Sequence, residues 1–137
     1  MKVDLTGKVV VVTGGGGILC SVMAKSLAAS GAKVAILDLK EEAAAKVADE
    51  IVAAGGRAVG VAANVLDIES LKKAEAAVKA AFGDCDILVN GAGGNKKQAT
   101  VSSELDFFHL DVDAFKWVFD LNVTGAVLTT MVFGELL

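Results

Sequence analysis

Four consecutive glycines, Gly14 to Gly17, follow the apolar segment KVVVVT and precede a segment with helical periodicity. Glycine adopts backbone angles that other residues avoid, and its lack of a side chain lets a ligand touch the main chain. A strand, a glycine turn and a helix in this order bring free backbone N–H groups to the positive end of a helix dipole. The pattern predicts a binding site for a pyrophosphate. The alternative is a turn with a purely structural role.

An aspartate, Asp38, stands at the end of the second predicted strand, Lys33–Leu37. A carboxylate at the C-terminal end of this strand can accept hydrogen bonds from both hydroxyls of an adenosine ribose, and it repels a 2′-phosphate. Asp38 therefore favours NAD over NADP. The alternative is a solvated aspartate in a loop.

The elements that would position these residues alternate between strands and helices. Four short apolar segments are predicted strands: Val9–Val12, Lys33–Leu37, Arg57–Ala62 and Asp86–Asn90. Three helical segments separate them: one with an apolar stripe of Leu19, Val22, Met23 and Leu27, one over Glu41–Ala54, and one that Asp67 caps and that ends at Phe82. Such an alternation forms a parallel sheet with right-handed crossovers. The predicted fold is a doubly wound, Rossmann-like α/β sheet.

Composition argues against several classes of function. The chain has 137 residues, of which 54% are hydrophobic, and a net charge of −4. This charge argues against nucleic acid as a partner, because no basic patch could release phosphate counterions. The N-terminus is too polar for a signal peptide, and no apolar run approaches the roughly 20 residues of a membrane span, so we expect a cytoplasmic protein without a membrane partner.

The two cysteines, Cys20 and Cys85, lack the spacing of metal ligands. We expect reduced thiols and no metal site. Cys20 is interpreted as a small packing residue rather than a nucleophile.

The region after the fourth strand carries the remaining candidates for chemistry. Lys96–Leu110 is predicted to be a long loop or a short irregular helix beyond the C-terminal edge of the sheet, where ligands bind in such folds. Its Lys96, Lys97 and Ser102 are candidates for substrate contacts, although a solvated loop would have the same composition. The sole histidine, His109, is interpreted as a packed or surface side chain rather than a general base.

A long helix is predicted over Asp113–Leu137. It is apolar nearly all round, so the sheet must cover one side and a partner subunit another. We therefore expect a homo-oligomer that pairs through this helix.

With these motifs assembled, the chain resembles the N-terminal half of a short-chain dehydrogenase/reductase over nearly its whole length. The family's Thr-Gly-x-x-x-Gly-x-Gly turn corresponds to Thr13–Cys20, its acidic residue to Asp38, and its Asn-Asn-Ala-Gly motif to Asn90–Gly93. The Asp-Val pair that contacts adenine corresponds to Asn64-Val65, and the asparagine of the catalytic tetrad to Asn122. The resemblance implies these cofactor-binding residues: Gly14, Gly16, Gly17, Ile18, Leu19, Asp38, Asn64, Val65, Asn90, Ala92 and Gly93.

Four positions depart from the family pattern. Ile18 and Cys20 stand where the second and third turn glycines are expected, which predicts a reshaped turn. Asn64 replaces an aspartate but still offers an acceptor and a donor to adenine, and Gly91 replaces an asparagine. The combination of TGGGGILC and LVNGAGGN resembles the branch that acts on sugar acids, the fructuronate and mannonate oxidoreductases.

The resemblance also implies groups that the 137 residues lack. The family's proton donor is the tyrosine of a Tyr-x-x-x-Lys pair, assisted by a serine, beyond the long helix; this sequence contains no tyrosine. We therefore expect residues 1–137 to form the dinucleotide-binding part of a single dehydrogenase domain whose C-terminal half is absent, and to be inactive alone.

Three functions remain open at this stage. In the first, the parent protein is an NAD-dependent oxidoreductase that interconverts a secondary alcohol and a ketone on a sugar acid such as fructuronate or mannonate, and Asn122 helps to hold the proton-relay water. In the second, the chain is a non-catalytic nucleotide-binding or assembly module that uses the long helix as an interface. The third, a methyltransferase, fits the first strand and Asp38 but explains neither Asn90–Gly93 nor Asn122.

Overall fold

The computed structural model describes residues 3–135 and 137. Its four strands form one parallel sheet in the order β3-β2-β1-β4. The strands are β1 Val9–Thr13, β2 Lys33–Asp38, β3 Arg57–Ala62 and β4 Ile87–Val89. The helices are α1 Ile18–Ala29, α2 Glu41–Ala53, α3 Ile68–Phe82, α4 Val112–Phe119 and α5 Gly125–Phe133.

The central strand β1 is buried on both faces, because helices cover the sheet from both sides. Val9 and Val11 belong to a core with α3 and α5, whereas Val10 and Val12 belong to a second core with α1 and α2. All four valines are buried, as expected of a parallel strand between two helix layers. The predicted doubly wound fold is confirmed.

Helix α1 packs on the sheet through small residues rather than through the predicted apolar stripe. Its buried residues are Cys20, Ala24 and Ala28. The larger apolar side chains Leu19, Val22 and Met23 are exposed, and Leu27 packs against the core. Small side chains let the helix lie close to the strands after a glycine turn, where bulkier ones would hold it away. The periodicity of the large apolar residues therefore does not identify the buried face of this helix.

The last helical region differs from the single α-helix predicted over Asp113–Leu137. The backbone is α-helical over α4, forms a π-helical turn over Asp120–Thr124, and is α-helical again over α5. The helix ends at Phe133 with Gly134 as its C-cap, and Leu136 lies outside the described residues. The π turn contains Asn122, and turns of this kind are frequent at functional sites.

One side of α4, the π turn and α5 forms an exposed apolar stripe. It consists of Val112, Phe115, Phe119, Val123, Val127 and Met131. These residues recur every three or four positions, so they share one side of the helix. The opposite side packs into the core through Leu121, Leu128, Val132 and Phe133. The helix is therefore apolar on both sides, as predicted, and the sheet covers only the inner one.

The start of β4 is joined to β1 by Asp86. Its Oδ2 accepts the N–H of Val9 at 2.8 Å, and its Oδ1 accepts the ammonium of Lys8 at 3.0 Å. The backbone hydrogen bond and, after it, the lysine lower the pKa of Asp86. The strand that carries the second glycine turn is thus held in register by a charged residue.

Candidate functional site

A cavity of about 660 Å³ opens at the C-terminal ends of the strands, between the turns that follow β1 and β4. Ligands bind at this edge of doubly wound sheets, where the strand order reverses. Nine of the predicted cofactor-binding residues line it: Gly14, Gly17, Ile18, Leu19, Asp38, Asn64, Val65, Ala92 and Gly93. The lining also includes Cys20 and Gly91, the two motif positions that depart from the family pattern, and residues that the motifs did not indicate: Leu37, Leu39, Ala63, Leu66, Trp117 and Leu121.

Some of the additional lining residues could have been predicted from the sequence, and others could not. Leu39 and Leu66 directly follow Asp38 and Val65, so their position beside predicted site residues could have indicated them. No spacing in the sequence connects Trp117 with the glycine turn. The tertiary packing of α4 alone brings it to the cavity.

The glycine turn uses most of its own amides inside the protein. The N–H of Gly15 donates to the Leu37 carbonyl, and that of Gly17 donates to the Gly14 carbonyl, both at 3.0 Å. Gly14 has a φ of +63°, and a Cβ there would lie 2.9 Å from the Cα of Ala92. The turn therefore requires glycine at its first position, both for its backbone conformation and for its contact with the turn after β4.

The amides that remain open are those of the first turn of α1. Among the described residues, no hydrogen bond engages the N–H groups of Ile18, Leu19 and Cys20. All three residues line the cavity. Open amides at the positive end of a helix dipole are suited to an anion such as a phosphate.

Asp38 lines the same cavity beside the glycine turn, and the backbone holds its carboxylate in place. Its Oδ2 accepts the N–H of Gly16 and its Oδ1 accepts the N–H of Lys40, each at 3.0 Å. A carboxylate has about four acceptor positions, so each oxygen can accept one more hydrogen bond from a ligand. A Cβ at Gly16 would lie 2.9 Å from Oδ2 of Asp38. Gly16 therefore supports Asp38 and does not itself line the cavity.

Thr13 links the glycine turn after β1 to the turn after β4. Its side chain is buried, and its Oγ1 accepts the N–H groups of Gly91 and Ala92, each at 3.1 Å. The same hydroxyl lies 3.5 Å from the carbonyl of Val89, to which it can donate. One threonine thus fixes the distance between the end of β1 and the turn after β4.

Asn90 and Asn122 do not line the cavity but hold the residues that do. The Asn90 amide donates to Oγ1 of Thr130 at 3.1 Å, which ties the end of β4 to α5. The Asn122 amide donates to the Gly94 carbonyl at 2.7 Å and to the Val118 carbonyl at 2.7 Å. Oδ1 of Asn122 accepts the Gly94 N–H at 3.3 Å. The π turn is therefore hydrogen-bonded to the turn after β4 through the single side chain of Asn122.

Two of the departures from the family pattern lie in direct contact. A Cβ added at Gly91 would lie 2.4 Å from Sγ of Cys20, and the Cys20 thiol lies 3.7 Å from the Gly91 carbonyl. The sulfur of one residue therefore occupies the space that a side chain on the other would need. Burial and, after it, the Asp38 carboxylate raise the pKa of Cys20, so the thiol is protonated and is a poor nucleophile at neutral pH.

A second cavity, of about 670 Å³, lies in the loop between β4 and α4. Lys96, Lys97 and Ser102, the predicted candidates for substrate contacts, all line it. The loop is irregular, with two short 3₁₀ turns at Lys97–Ala99 and Phe107–His109. His109 is exposed at the surface, and its Nδ1 lies 2.9 Å from both carboxylate oxygens of Asp106.

Two negative findings apply to residues 3–135 and 137. No helix in this range is long and apolar enough to cross a membrane. No group of three or more His, Cys, Asp or Glu side chains in the same range is placed to hold a metal ion.

The fold and the first cavity together define a class of protein. A doubly wound sheet with open amides at the start of its first helix and a carboxylate at the end of its second strand is typical of dinucleotide-binding domains. In a comparison with protein families, residues 8–137 match the short chain dehydrogenase family. The chain belongs to the short-chain dehydrogenase family of oxidoreductases, so the methyltransferase alternative has no support.

Several relatives are similar over most of this chain. An uncharacterised oxidoreductase of Haemophilus influenzae is 44% identical over 142 residues, which cover 96% of this chain and 50% of that protein. An uncharacterised oxidoreductase of Bacillus subtilis, UxuB, is 46% identical over 140 residues, with 96% and 50% coverage. A crystal structure from Haemophilus influenzae, provisionally assigned as a D-mannonate oxidoreductase with bound NAD, is 43% identical with a TM-score of 0.89, and the match covers 97% of this chain and 51% of that one. The chain thus spans about half the length of the relatives it matches.

Proposed function

We propose that this chain is the NAD-binding part of an oxidoreductase that interconverts a secondary alcohol and a ketone on a sugar acid such as fructuronate or mannonate. The observation that carries the proposal is the cavity that joins the open amides of α1 to the carboxylate of Asp38. The relatives support the chemistry, since one similar structure contains NAD and is provisionally assigned to D-mannonate. NAD, when bound, would supply the acceptor for the hydride of the alcohol.

The residues of the cavity fit the parts of a dinucleotide. The N–H groups of Ile18 and Leu19 would hold the pyrophosphate, beside Gly14 and Gly17, whose missing side chains let it approach. The second acceptor position of each Asp38 oxygen would take a ribose hydroxyl. A 2′-phosphate at the same place would meet a negative charge, which is the physical reason for NAD rather than NADP.

The adenine would lie among Asn64, Val65 and the two exposed leucines Leu39 and Leu66. Asn64 can offer a donor and an acceptor to the ring edge, although in this structure its Oδ1 accepts the N–H of Leu66 at 3.0 Å. The apolar side chains supply the contacts for the ring faces. On the other side of the cavity, Ala92 and Gly93 would border the nicotinamide half.

Asn122 is a positioning residue in this proposal. Its hydrogen bonds to Gly94 fix the turn that contains Ala92 and Gly93, and a Cβ at Gly93 would lie 2.6 Å from its Oδ1. Asn90 acts in the same way through Thr130. The 137 residues contain no tyrosine, so the groups described here bind and orient, and residues 1–137 form the dinucleotide-binding part of a single domain.

The exposed apolar stripe favours a further property, pairing of two copies through α4 and α5. Six large apolar side chains along one side of a helix form a contiguous surface of the kind that marks an interface. The same stripe supports the second candidate function, a nucleotide-binding or assembly module without catalysis.

We place the protein in the cytoplasm, since its two cysteines are unpaired and buried, as is usual in a reducing compartment.

The cofactor proposal is tested by titrating the chain with NADH and with NADPH while following cofactor fluorescence. We expect tighter binding of NADH. Asp38→Asn keeps the size of the side chain and removes its charge. It should therefore lower the ratio of the dissociation constants for NADPH and NADH about tenfold, which corresponds to roughly 1.4 kcal/mol. Asp49→Ala, which removes an exposed acid on α2, is the control and should change neither affinity.

Each possible result of this titration has a defined meaning. Absence of NADH binding to the unaltered chain would overturn the proposed function. Binding of both cofactors with unchanged affinities in Asp38→Asn would remove Asp38 from the site but would leave the cavity as a nucleotide site.

A further inference from the structure

The second cavity has the lining of a site for a hydroxylated acid. Its nine lining residues comprise two lysines, three hydroxyl side chains, two amides and one carboxylate, with Leu105 as the apolar member. Hydroxyl, amide and carboxylate groups can exchange hydrogen bonds with the hydroxyls of a sugar chain. A lysine supplies the positive charge that a ligand carboxylate requires.

Lys96 differs from an ordinary surface lysine. Its side chain is half-buried, and its Nζ lies 4.3 Å from the centre of the Trp117 ring. Within residues 3–135 and 137, neither Lys96 nor Lys97 forms an ion pair with a carboxylate. The aromatic ring fixes the ammonium in position without neutralising it, so its N–H donors remain available to an anion.

Lys96 also stands where the two cavities meet. Trp117, on which its ammonium is stacked, lines the first cavity, and Lys96 lines the second. Along the chain, Gly94 separates Gly93, which lines the first cavity, from Asn95, which lines the second. An acid held by Lys96 would therefore lie next to the nicotinamide side of the proposed dinucleotide site.

We propose that Lys96 binds the carboxylate of the sugar-acid substrate and that the hydroxyl and amide side chains of the second cavity bind its hydroxyl groups. This assignment rests on the proposed function and adds to it the residue that selects an acid over a neutral polyol. Glu104, the carboxylate of the lining, accepts a hydrogen bond from a hydroxyl group of the substrate. Its negative charge disfavours a substrate that carries a second negative charge. Lys97, which is more exposed, lies at the outer part of the cavity.

The test measures binding of D-mannonate to the chain saturated with NAD, by titration calorimetry, with the neutral polyol mannitol as the matched ligand. We expect D-mannonate to bind at least tenfold more tightly than mannitol. Lys96→Met should weaken D-mannonate binding about tenfold or more and leave mannitol unchanged, because a charge-assisted hydrogen bond is lost. Lys73→Met alters an exposed lysine of α3 that forms no ion pair within residues 3–135 and 137, and it should leave both ligands unchanged.

Trp117 reports the location of the ligand. It is the sole tryptophan of the chain, so D-mannonate at Lys96 should change its fluorescence, and the change should disappear in Lys96→Met. Equal affinities for D-mannonate and mannitol, no binding of D-mannonate, or an unaltered affinity in Lys96→Met would each overturn the assignment of Lys96.

NADH binding, measured on the same samples, separates this assignment from the proposed function. A chain that binds NADH but fails the D-mannonate test retains the cofactor site and loses the Lys96 subsite. A chain that fails to bind NADH loses the proposed function itself. Lys96→Met should change NADH affinity by less than about twofold, because Lys96 does not line the first cavity.

Discussion

Gly91 and Cys20 are predicted to be energetically coupled, because the sulfur of Cys20 fills the space of the missing Gly91 side chain. In Gly91→Ala, the added Cβ would lie 2.4 Å from Sγ of Cys20 and 2.7 Å from the carbonyl oxygen of Thr13. Both distances are about 1 Å shorter than an ordinary contact of roughly 3.5–4.0 Å. The cysteine belongs to α1 and the threonine to β1, so the surroundings can relax only a little.

The size of the coupling follows from these contacts. Overpacking of a buried site costs about 1–3 kcal/mol, and we expect about 3 kcal/mol for Gly91→Ala because two atoms obstruct the new methyl group. Cys20→Ala removes one buried heavy atom and should cost about 1 kcal/mol. Independent effects would sum to about 4 kcal/mol. In the double variant only the contact with Thr13 remains, so we expect about 2 kcal/mol and a favourable coupling of about 2 kcal/mol, within the range for residues in contact.

The assay is urea unfolding followed by Trp117 fluorescence, at one fixed protein concentration because self-association would change the apparent stability. Cys85→Ala provides the control, since Cys85 is also buried and is absent from the contacts of a Gly91 Cβ. Gly91→Ala with Cys85→Ala should be additive within about 0.5 kcal/mol. If the effects of Gly91→Ala and Cys20→Ala on the free energy of unfolding were also additive, Sγ of Cys20 would not occupy the space of a Gly91 side chain, and the predicted coupling would be refuted.

Three shorter predictions concern the supports of the site. Thr13→Val should cost about 1–3 kcal/mol in urea unfolding, because the half-buried Ala92 N–H loses its acceptor and the Gly91 N–H keeps only the Val89 carbonyl; Thr129→Val, equally buried but bonded only to its own helix, should cost under about 1 kcal/mol, and equal costs would contradict this role of Thr13. The pKa of Asp86 is lowered in the folded chain, so its contribution to stability is present above the unfolded value of about 3.9 and is lost as the pH falls through the lower folded value. The melting-temperature difference between the unaltered chain and Asp86→Asn should accordingly stay constant from about pH 7 to pH 5 and shrink below about pH 4; a constant difference down to pH 2 would contradict it. Val127→Glu should shift the chain towards monomer in sedimentation experiments, whereas Val52→Glu, with the same 53% exposure on α2, should not; a monomeric unaltered chain would disprove pairing through the stripe.

The strands of the parallel sheet and the carboxylate of the site could be predicted from the sequence because their signals are local. Val9–Val12 is apolar at every position, which requires helices on both faces, and the structure has them. Asp38 is the last residue of a buried strand, at the edge of the sheet where ligands bind, so its position beside the cavity needed no knowledge of distant residues. The cap of α3 is equally local: Oδ1 of Asp67 accepts the N–H groups of Glu69 and Ser70.

The remaining features depend on contacts between distant residues. The buried face of α1 is set by how closely the helix approaches the sheet, and the large apolar side chains at Val22 and Met23 gave the opposite indication. The π turn has no periodicity of its own over five residues; it accompanies the hydrogen bonds of Asn122 to Gly94, 28 residues away. The placement of Asn90 outside the cavity likewise depends on Thr130, 40 residues away.

Ile18 and Cys20, the two departures within the glycine turn, have different physical explanations. Ile18 is the first residue of α1, has no positive φ and is 92% exposed, so neither its backbone nor its surroundings demand glycine, and its amide stays open. Cys20 lies inside the contact between α1 and the turn after β4, where a side chain fits only because Gly91 has none. The departure at Cys20 therefore involves its contact with Gly91, and the amides proposed to hold the pyrophosphate, those of Ile18 and Leu19, take no part in that contact.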